Sequence, residues 1–272
     1  MLGQILANGF ARVRLSQAEA TQLATLYAEA MTFFDAGPDA NCRYSNARLS
    51  NGYRPPGSSY NNFDPIDGVD LNDSFLYWNP GAARGIPGHE RILPFLRALE
   101  AYRAGALYRV VNALMADLAR RYDYRRRLPF MKASVLQINS YDTLSDREFL
   151  QTTHEDGTLA TVIWTCGPGL EVIAGDDAVR ADVARDEVLV MPGAILSAMT
   201  GGDIRPLYHR VRNFGAESLD RKSIMYFSCP DVDSGPIPPY VVDESNPGVD
   251  IGELIRTATD AFGLPSDFIV DH

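Results

Sequence analysis

The chain has 272 residues, 46% of them hydrophobic and 22% charged. These proportions exclude a disordered or collagen-like chain and allow one core that buries well over half of the chain's surface. The net charge of −10 opposes a nucleic-acid role, which needs a basic stripe.

No composition break divides the chain, so residues 1–272 read as a single domain. It has a helical and pocket-loop region over 1–128, a sheet core over 129–240 and a C-terminal helix within 241–272. The N-terminus lacks a basic region followed by an apolar run, and no segment reaches about 18 consecutive apolar residues. A cytoplasmic protein with no membrane partner is expected. Cys42, Cys166 and Cys229 are odd in number and lack metal-ligand spacing, so they read as reduced, buried thiols. The sequence alone identifies no exposed apolar stripe, so it leaves the oligomeric state open.

Residues 5 to 14 alternate weakly around Gly9-Phe10-Ala11-Arg12-Val13, the pattern of a short strand. Ser16 then opens a helix, with Glu19 completing a capping box and Ala20, Leu23, Ala24, Tyr27 and Met31 at helical spacing. That helix should end near Asp35, before Gly37-Pro38. Residues 41 to 73 are rich in Asn, Gly, Pro, Ser and Tyr and read as a long ordered loop, a common place for function. A second helix is expected from Gly88 to Tyr122, with a stripe running from Ile92 through Leu99 and Val110 to Leu118. His89, near its start, reads as a surface histidine. Arg120-Arg121 and Arg125-Arg126-Arg127 read as a solvated helix end.

After Pro129 the texture changes to short β-branched runs separated by turn residues, the mark of an antiparallel sandwich or barrel. Strands are expected at 135–139, 159–164, 171–173, 188–191 and 224–227, with another at 194–198. A jelly roll is the economical arrangement. A last helix over 249–262 places Ile251, Leu254, Ile255, Ala258 and Phe262 on one face, against the outside of the barrel.

The chemistry concentrates in Thr152-Thr153-His154-Glu155-Asp156-Gly157. If this stretch is extended, His154 and Asp156 share a face and Glu155 takes the other. With His209 as third ligand, two imidazoles and one carboxylate make the facial triad of non-heme Fe(II) oxygenases, which leaves positions open. Arg210, beside His209, should point away from the metal. Further on, Arg221 and Ser223 lie two apart on a strand and project together. A guanidinium with a neighbouring hydroxyl can hold a carboxylate.

The order His154-x-Asp156, His209, Arg221-x-Ser223 resembles the Fe(II)/2-oxoglutarate-dependent dioxygenases, and in particular their isopenicillin N synthase-like branch. The flanks share the resemblance: Leu136 to Tyr141 with its Asn-x-Tyr, Leu159 through Val172, Glu187 to Gly193, and Tyr226 to Asp231. So do Gly52-Tyr53-Arg54-Pro55 and Asp70 to Phe75, although Asn72-Asp73 replace the usual Lys-Glu pair. Asp142 stands where the family has Pro, and Ala194 where it has Asp. The likeness spans roughly residues 43 to 240.

The resemblance implies a mainly β fold with flanking helices around a double-stranded β-helix, the jelly-roll or cupin-like core. It implies Fe(II), 2-oxoglutarate as cosubstrate and O2, with succinate and CO2 released while a small molecule is hydroxylated, desaturated or cyclised. Arg221 and Ser223 would hold the distal carboxylate of 2-oxoglutarate, helped by Asn139 and Tyr141. Tyr60, Asn61, Phe63, Tyr77, Trp78 and Gln137 would line the substrate pocket. Their character suits a polar or amphipathic partner such as an amino acid or a specialised metabolite. Two other readings are an oxidase of this fold that does not use 2-oxoglutarate, and a non-catalytic jelly-roll binding protein that retains a metal.

Overall fold

Strand pairing organises the chain into two facing antiparallel sheets. The structure, a computed structural model, describes residues 1–46, 51–58, 71–78, 85–141, 145–175, 177–242 and 248–257. Eleven strands are defined among these: β1 Ala11–Arg14, β2 Gly52–Arg54, β3 Asp73–Tyr77, β4 Val135–Tyr141, β5 Phe149–His154, β6 Ala160–Cys166, β7 Leu170–Ala174, β8 Asp177–Arg180, β9 Glu187–Pro192, β10 His209–Arg212 and β11 Arg221–Ser228. The larger sheet runs β1-β9-β6-β11-β4-β3-β2 and the smaller β5-β10-β7-β8.

Alternation along the strands separates two cores. From the larger sheet, Leu136, Ile138, Val162, Trp164, Val190, Ile224 and Tyr226 join the helices in one cluster. The residues between them, Ile163, Leu189, Met191 and Met225, meet Leu170 and Val172 of the smaller sheet in a second cluster. Helices therefore cover one face of the larger sheet, and the smaller sheet covers the other. This is the double-stranded β-helix expected from the sequence.

The helices are α1 Leu2–Asn8, α2 Gln17–Phe34, α3 Pro38–Asn41, α4 Leu93–Tyr102, α5 Tyr108–Arg121, α6 Ala194–Met199 and α7 Ile251–Thr257. The capping box of α2 forms as its sequence predicts, with the Ser16 N–H donating to Glu19 at 2.8 Å and the Ser16 hydroxyl accepting from the Glu19 N–H. α2 packs on α4 through Phe33, which stacks on Phe95 at 4.9 Å and meets the edge of Phe75 at 5.1 Å. Between α4 and α5 the chain forms one π-helical turn, Arg103–Leu107. A Cβ on Gly105 would lie 2.5 Å from the side-chain oxygen of Gln22, so this widened turn admits no larger residue without a shift of Gln22. No helix among the described residues is long and apolar enough to cross a membrane.

Several expectations are corrected. Residues 5 to 14 are not one strand: α1 buries Leu2 and Ile5 and ends at Gly9, whose φ of 81° breaks the helix, so only Ala11–Arg14 extends. The run 194–198 is helical, because Ile195, Leu196 and Met199 fall on one buried helical face. The long loop carries a 3-10 turn, Cys42–Tyr44, and β2, and Asp73, where it was expected to end, opens β3. Three strands of the first 128 residues thus belong to the larger sheet. All three cysteines are free as expected, but Cys42 is exposed, Cys166 half-buried and Cys229 buried. In α7, Ile251 and Ile255 are buried, while Ala258 and Phe262 lie outside the described residues. His89 is a surface residue, its Nδ1 3.2 Å from the Ile86 carbonyl.

Candidate metal and cosubstrate site

The two histidines meet because β5 and β10 are neighbours in a register that sets His154 directly opposite His209. Their ring centroids lie 4.4 Å apart. Both rings project into the space between the sheets, while Arg210 turns outward, as alternation requires, and pairs with Glu171 at 2.6 Å. Asp156 is placed differently from the sequence expectation. β5 ends at His154, so the carboxylate comes from the loop beyond the strand, and alternation along one strand does not set it. That loop rests on the start of α6, with the Ala194 N–H donating to the Asp156 carbonyl at 2.9 Å and the Ile195 N–H to the Thr158 carbonyl at 3.1 Å.

The donor atoms converge. His154 Nε2 is 4.0 Å from Asp156 Oδ1, and His209 Nε2 is 3.9 Å from Asp156 Oδ2. One ligand atom from each residue lies within 4.8 Å of the others, and no other such group of His, Cys, Asp or Glu occurs among the described residues. These separations exceed a hydrogen bond, so the three side chains face one another without satisfying one another. The opposite ring nitrogens explain the orientation: His154 Nδ1 lies 2.7 Å from the Thr152 carbonyl and His209 Nδ1 3.3 Å from the Leu207 carbonyl. A carbonyl only accepts, so each Nδ1 carries the proton and each Nε2 keeps its lone pair for a metal. Two imidazoles and a carboxylate suit Fe(II). No thiolate competes: Cys229 is buried, and burial pushes its thiol up to about 12.

On the larger sheet, Arg221 and Ser223 of β11 pair across to Tyr141 and Asn139 of β4, so all four share a face. Arg221 is 1% exposed. Its Nη1 donates to Ser223 Oγ at 2.6 Å, its Nε to the Pro168 carbonyl at 3.1 Å, and its guanidinium lies 4.9 Å from the Tyr141 ring centre. Its Nη2 is buried without a partner. Burial pushes the guanidinium pKa down, opposed by the neighbouring Tyr141 and Cys166. Ser223 accepts from Arg221, so its own proton is free to be donated. An unused guanidinium nitrogen beside a free hydroxyl proton is a fork for one carboxylate. Both halves of the site therefore fit the groups the sequence implies.

Residues 132–230, which include all seven of these side chains, match the family model of the 2OG-Fe(II) oxygenase superfamily. The segment belongs to that superfamily. Among solved structures, the chain is similar to a full-length Neurospora crassa protein in complex with alpha-KG, at 18% identity and a TM-score of 0.73 over 95% of this chain and 88% of that one. A 2OG-Fe(II) oxygenase family protein from Caulobacter crescentus gives 16% identity and a TM-score of 0.74, over 95% and 91%. The rice dioxygenase for auxin oxidation gives 20% and 0.67, over 94% and 87%. At such identities the likeness is one of fold. No curated protein matches the sequence.

The substrate-pocket residues expected from the sequence fare unevenly in the structure. Tyr77 is corrected: it shares the face of β3 that carries Phe75, lies in the helix-facing core and donates toward Glu100 at 3.4 Å, so it does not line the space between the sheets. Trp78 follows β3 and is half-buried. Tyr60, Asn61 and Phe63 lie outside the described residues. Gln137 shares the face of β4 that carries Asn139, and its amide donates to Asn139 Oδ1 at 2.7 Å. The sequence reading missed the role of Gly193 and Ala194. The backbone N–H of Ala194 holds the loop that carries Asp156. The side chain at 194 carries no trace of this, because the bond is made by the main chain.

Proposed function

We propose that the chain is a cytoplasmic non-heme Fe(II)- and 2-oxoglutarate-dependent oxygenase of the isopenicillin N synthase-like branch. It acts on a small molecule in biosynthesis. His154, Asp156 and His209 hold the iron, and Arg221 and Ser223, with Asn139 and Tyr141, hold the cosubstrate. One observation carries the reading: a buried arginine with an unused nitrogen and a ligand triad facing one another between two sheets. Bound Fe(II), with 2-oxoglutarate and O2, supplies the oxidising power, and succinate and CO2 are the coproducts.

The protein's residues supply position and a dry setting. The Nδ1 atoms of both imidazoles lie against backbone carbonyls, which sets the tautomer in which Nε2 is the ligand atom. Arg221 neutralises a carboxylate in surroundings where water does not screen it. Gln137 occupies Asn139 Oδ1, so the Asn139 amide presents its N–H groups, one of them 3.5 Å from the Tyr141 hydroxyl. Small organic partners occur among the structural relatives: thymine with the Neurospora crassa protein and JA with JOX2. A substrate such as an amino acid or a specialised metabolite fits this pattern. The acidic net charge of −10 argues against a nucleic-acid substrate.

Arg221 would accept a carboxylate from any source, and this observation supports a second reading, an oxidase in which the substrate's own carboxylate sits there. Release of succinate from 2-oxoglutarate separates the two. Fe(II)-loaded protein should form succinate, with or without a primary substrate, and His209→Ala should reduce it at least tenfold. Turnover of a substrate without succinate would favour the oxidase, and no turnover in any screen would favour a binding protein.

A further inference from the structure

Asp156 is the one triad member outside a strand, and a carboxylate on a loop turns about two side-chain bonds unless something holds it. Its backbone is held from behind. Gly193 approaches so closely that a Cβ there would collide with the Thr158 carbonyl and lie 2.7 Å from that of Asp156. The N–H groups of Ala194 and Ile195 bond this same loop. These contacts fix where Asp156 starts and leave the rotation of its carboxylate undecided.

The facing sheet decides it. Thr161, 1% exposed on β6, donates through Oγ1 to Asp156 Oδ2 at 2.5 Å. β6 is clamped between β9 and β11, with Thr161 opposite Met191 on one side and Phe227 on the other. A β-branched side chain in a strand has few rotamers, so the hydroxyl is pre-aimed. The Thr158 hydroxyl lies 3.3 Å from that of Thr161. Asp156 as a ligand carries no proton, so the single proton of Thr161 goes to it, and Thr158 must be the donor to Thr161. The result is a directed chain, Thr158 to Thr161 to Asp156, in which each bond polarises the next.

We infer that Thr161 is a positioning residue of the metal centre, whose hydroxyl turns the Asp156 carboxylate toward the two imidazoles and occupies a lone pair of one oxygen. This disfavours chelation by both oxygens and so preserves the open positions that cosubstrate and O2 need. The inference rests on the proposed reading of His154, Asp156 and His209 as an iron site. Hydrogen-bond partners of metal ligands commonly contribute about 10- to 100-fold in metal affinity.

The test compares Thr161→Val, which keeps the shape and removes the donor, with Thr161→Ser, which keeps the donor. Each metal-free protein is titrated anaerobically with Fe(II) and then with 2-oxoglutarate, while the visible charge-transfer band is followed. Thr161→Val should bind Fe(II) about 10- to 100-fold more weakly with a displaced band, while Thr161→Ser stays near wild type. Should valine fail to fold, Thr161→Ala takes its place. Unchanged affinity and band in the hydroxyl-free variant, where His209→Ala abolishes binding, would overturn the inference and leave the iron site standing. Equal losses in the serine and valine variants would also overturn it, since packing would then explain both. Fe(II) binding that ignores His209→Ala would overturn the reading of the site itself, and this inference with it.

Discussion

Arg221 is a buried cation whose guanidinium has two satisfied nitrogens and one that is not. A buried charge left short of partners costs stability, which a site accepts when a ligand completes it. Arg221→Met should therefore leave the ligand-free protein as stable as wild type or more so, while 2-oxoglutarate binding falls at least tenfold. Charge-assisted hydrogen bonds of about 1.5–3 kcal/mol set that scale. Thermal melting of the ligand-free proteins and a 2-oxoglutarate titration of the Fe(II) forms check both halves. A clear loss of stability with unchanged binding would make Arg221 a structural residue. The chemistry at this scale was legible in the sequence because it depends on residue types at fixed order: the structure brings His154, Asp156 and His209 together and sets Arg221 beside Ser223, although Asp156 comes from the loop after β5 and not from the strand. Tyr77 departs from the pocket wall that the family resemblance implies, because alternation with Phe75 along β3 turns it to the helices.

At the scale of elements, the metal centre depends on how β5, β10 and α6 are joined. Register sets His154 opposite His209, and on the reverse side Glu171 of β7 bonds both Arg210 and Arg212 of β10, at 2.6 and 2.8 Å. The loop of Asp156 is seated against Gly193, where any side chain meets main-chain carbonyls. Gly193→Ala should force that loop away, at a cost of about 1–3 kcal/mol in urea unfolding, and Fe(II) affinity should fall with it. Unchanged affinity would show that the loop adjusts without moving the carboxylate. The sequence foretold α2 from its capping box and the central strands from their β-branched runs. It mistook Ala194 to Ala198 for a strand because so short an apolar run does not distinguish a period of 2 from one of 3.6. It missed α1 for a similar reason, since a weak alternation concealed the glycine that ends a short helix.

Across the whole molecule, the two halves of the site belong to different sheets. The triad histidines sit on the smaller sheet, and Arg221, Ser223, Asn139 and Tyr141 on the larger. Separate motifs in the sequence become one site only because the sheets face each other across a shared apolar core that includes Ile163, Leu170, Val172, Leu189 and Met225. A cosubstrate that binds metal at one end and Arg221 at the other would bridge them. The most direct measurement is an anaerobic titration of the Fe(II)-loaded protein with 2-oxoglutarate, watched for a visible metal-to-ligand charge-transfer band. The account predicts a saturable band, absent in His209→Ala and requiring at least tenfold more 2-oxoglutarate in Arg221→Met. Iron bound through the triad with no such band at any concentration of 2-oxoglutarate would contradict it.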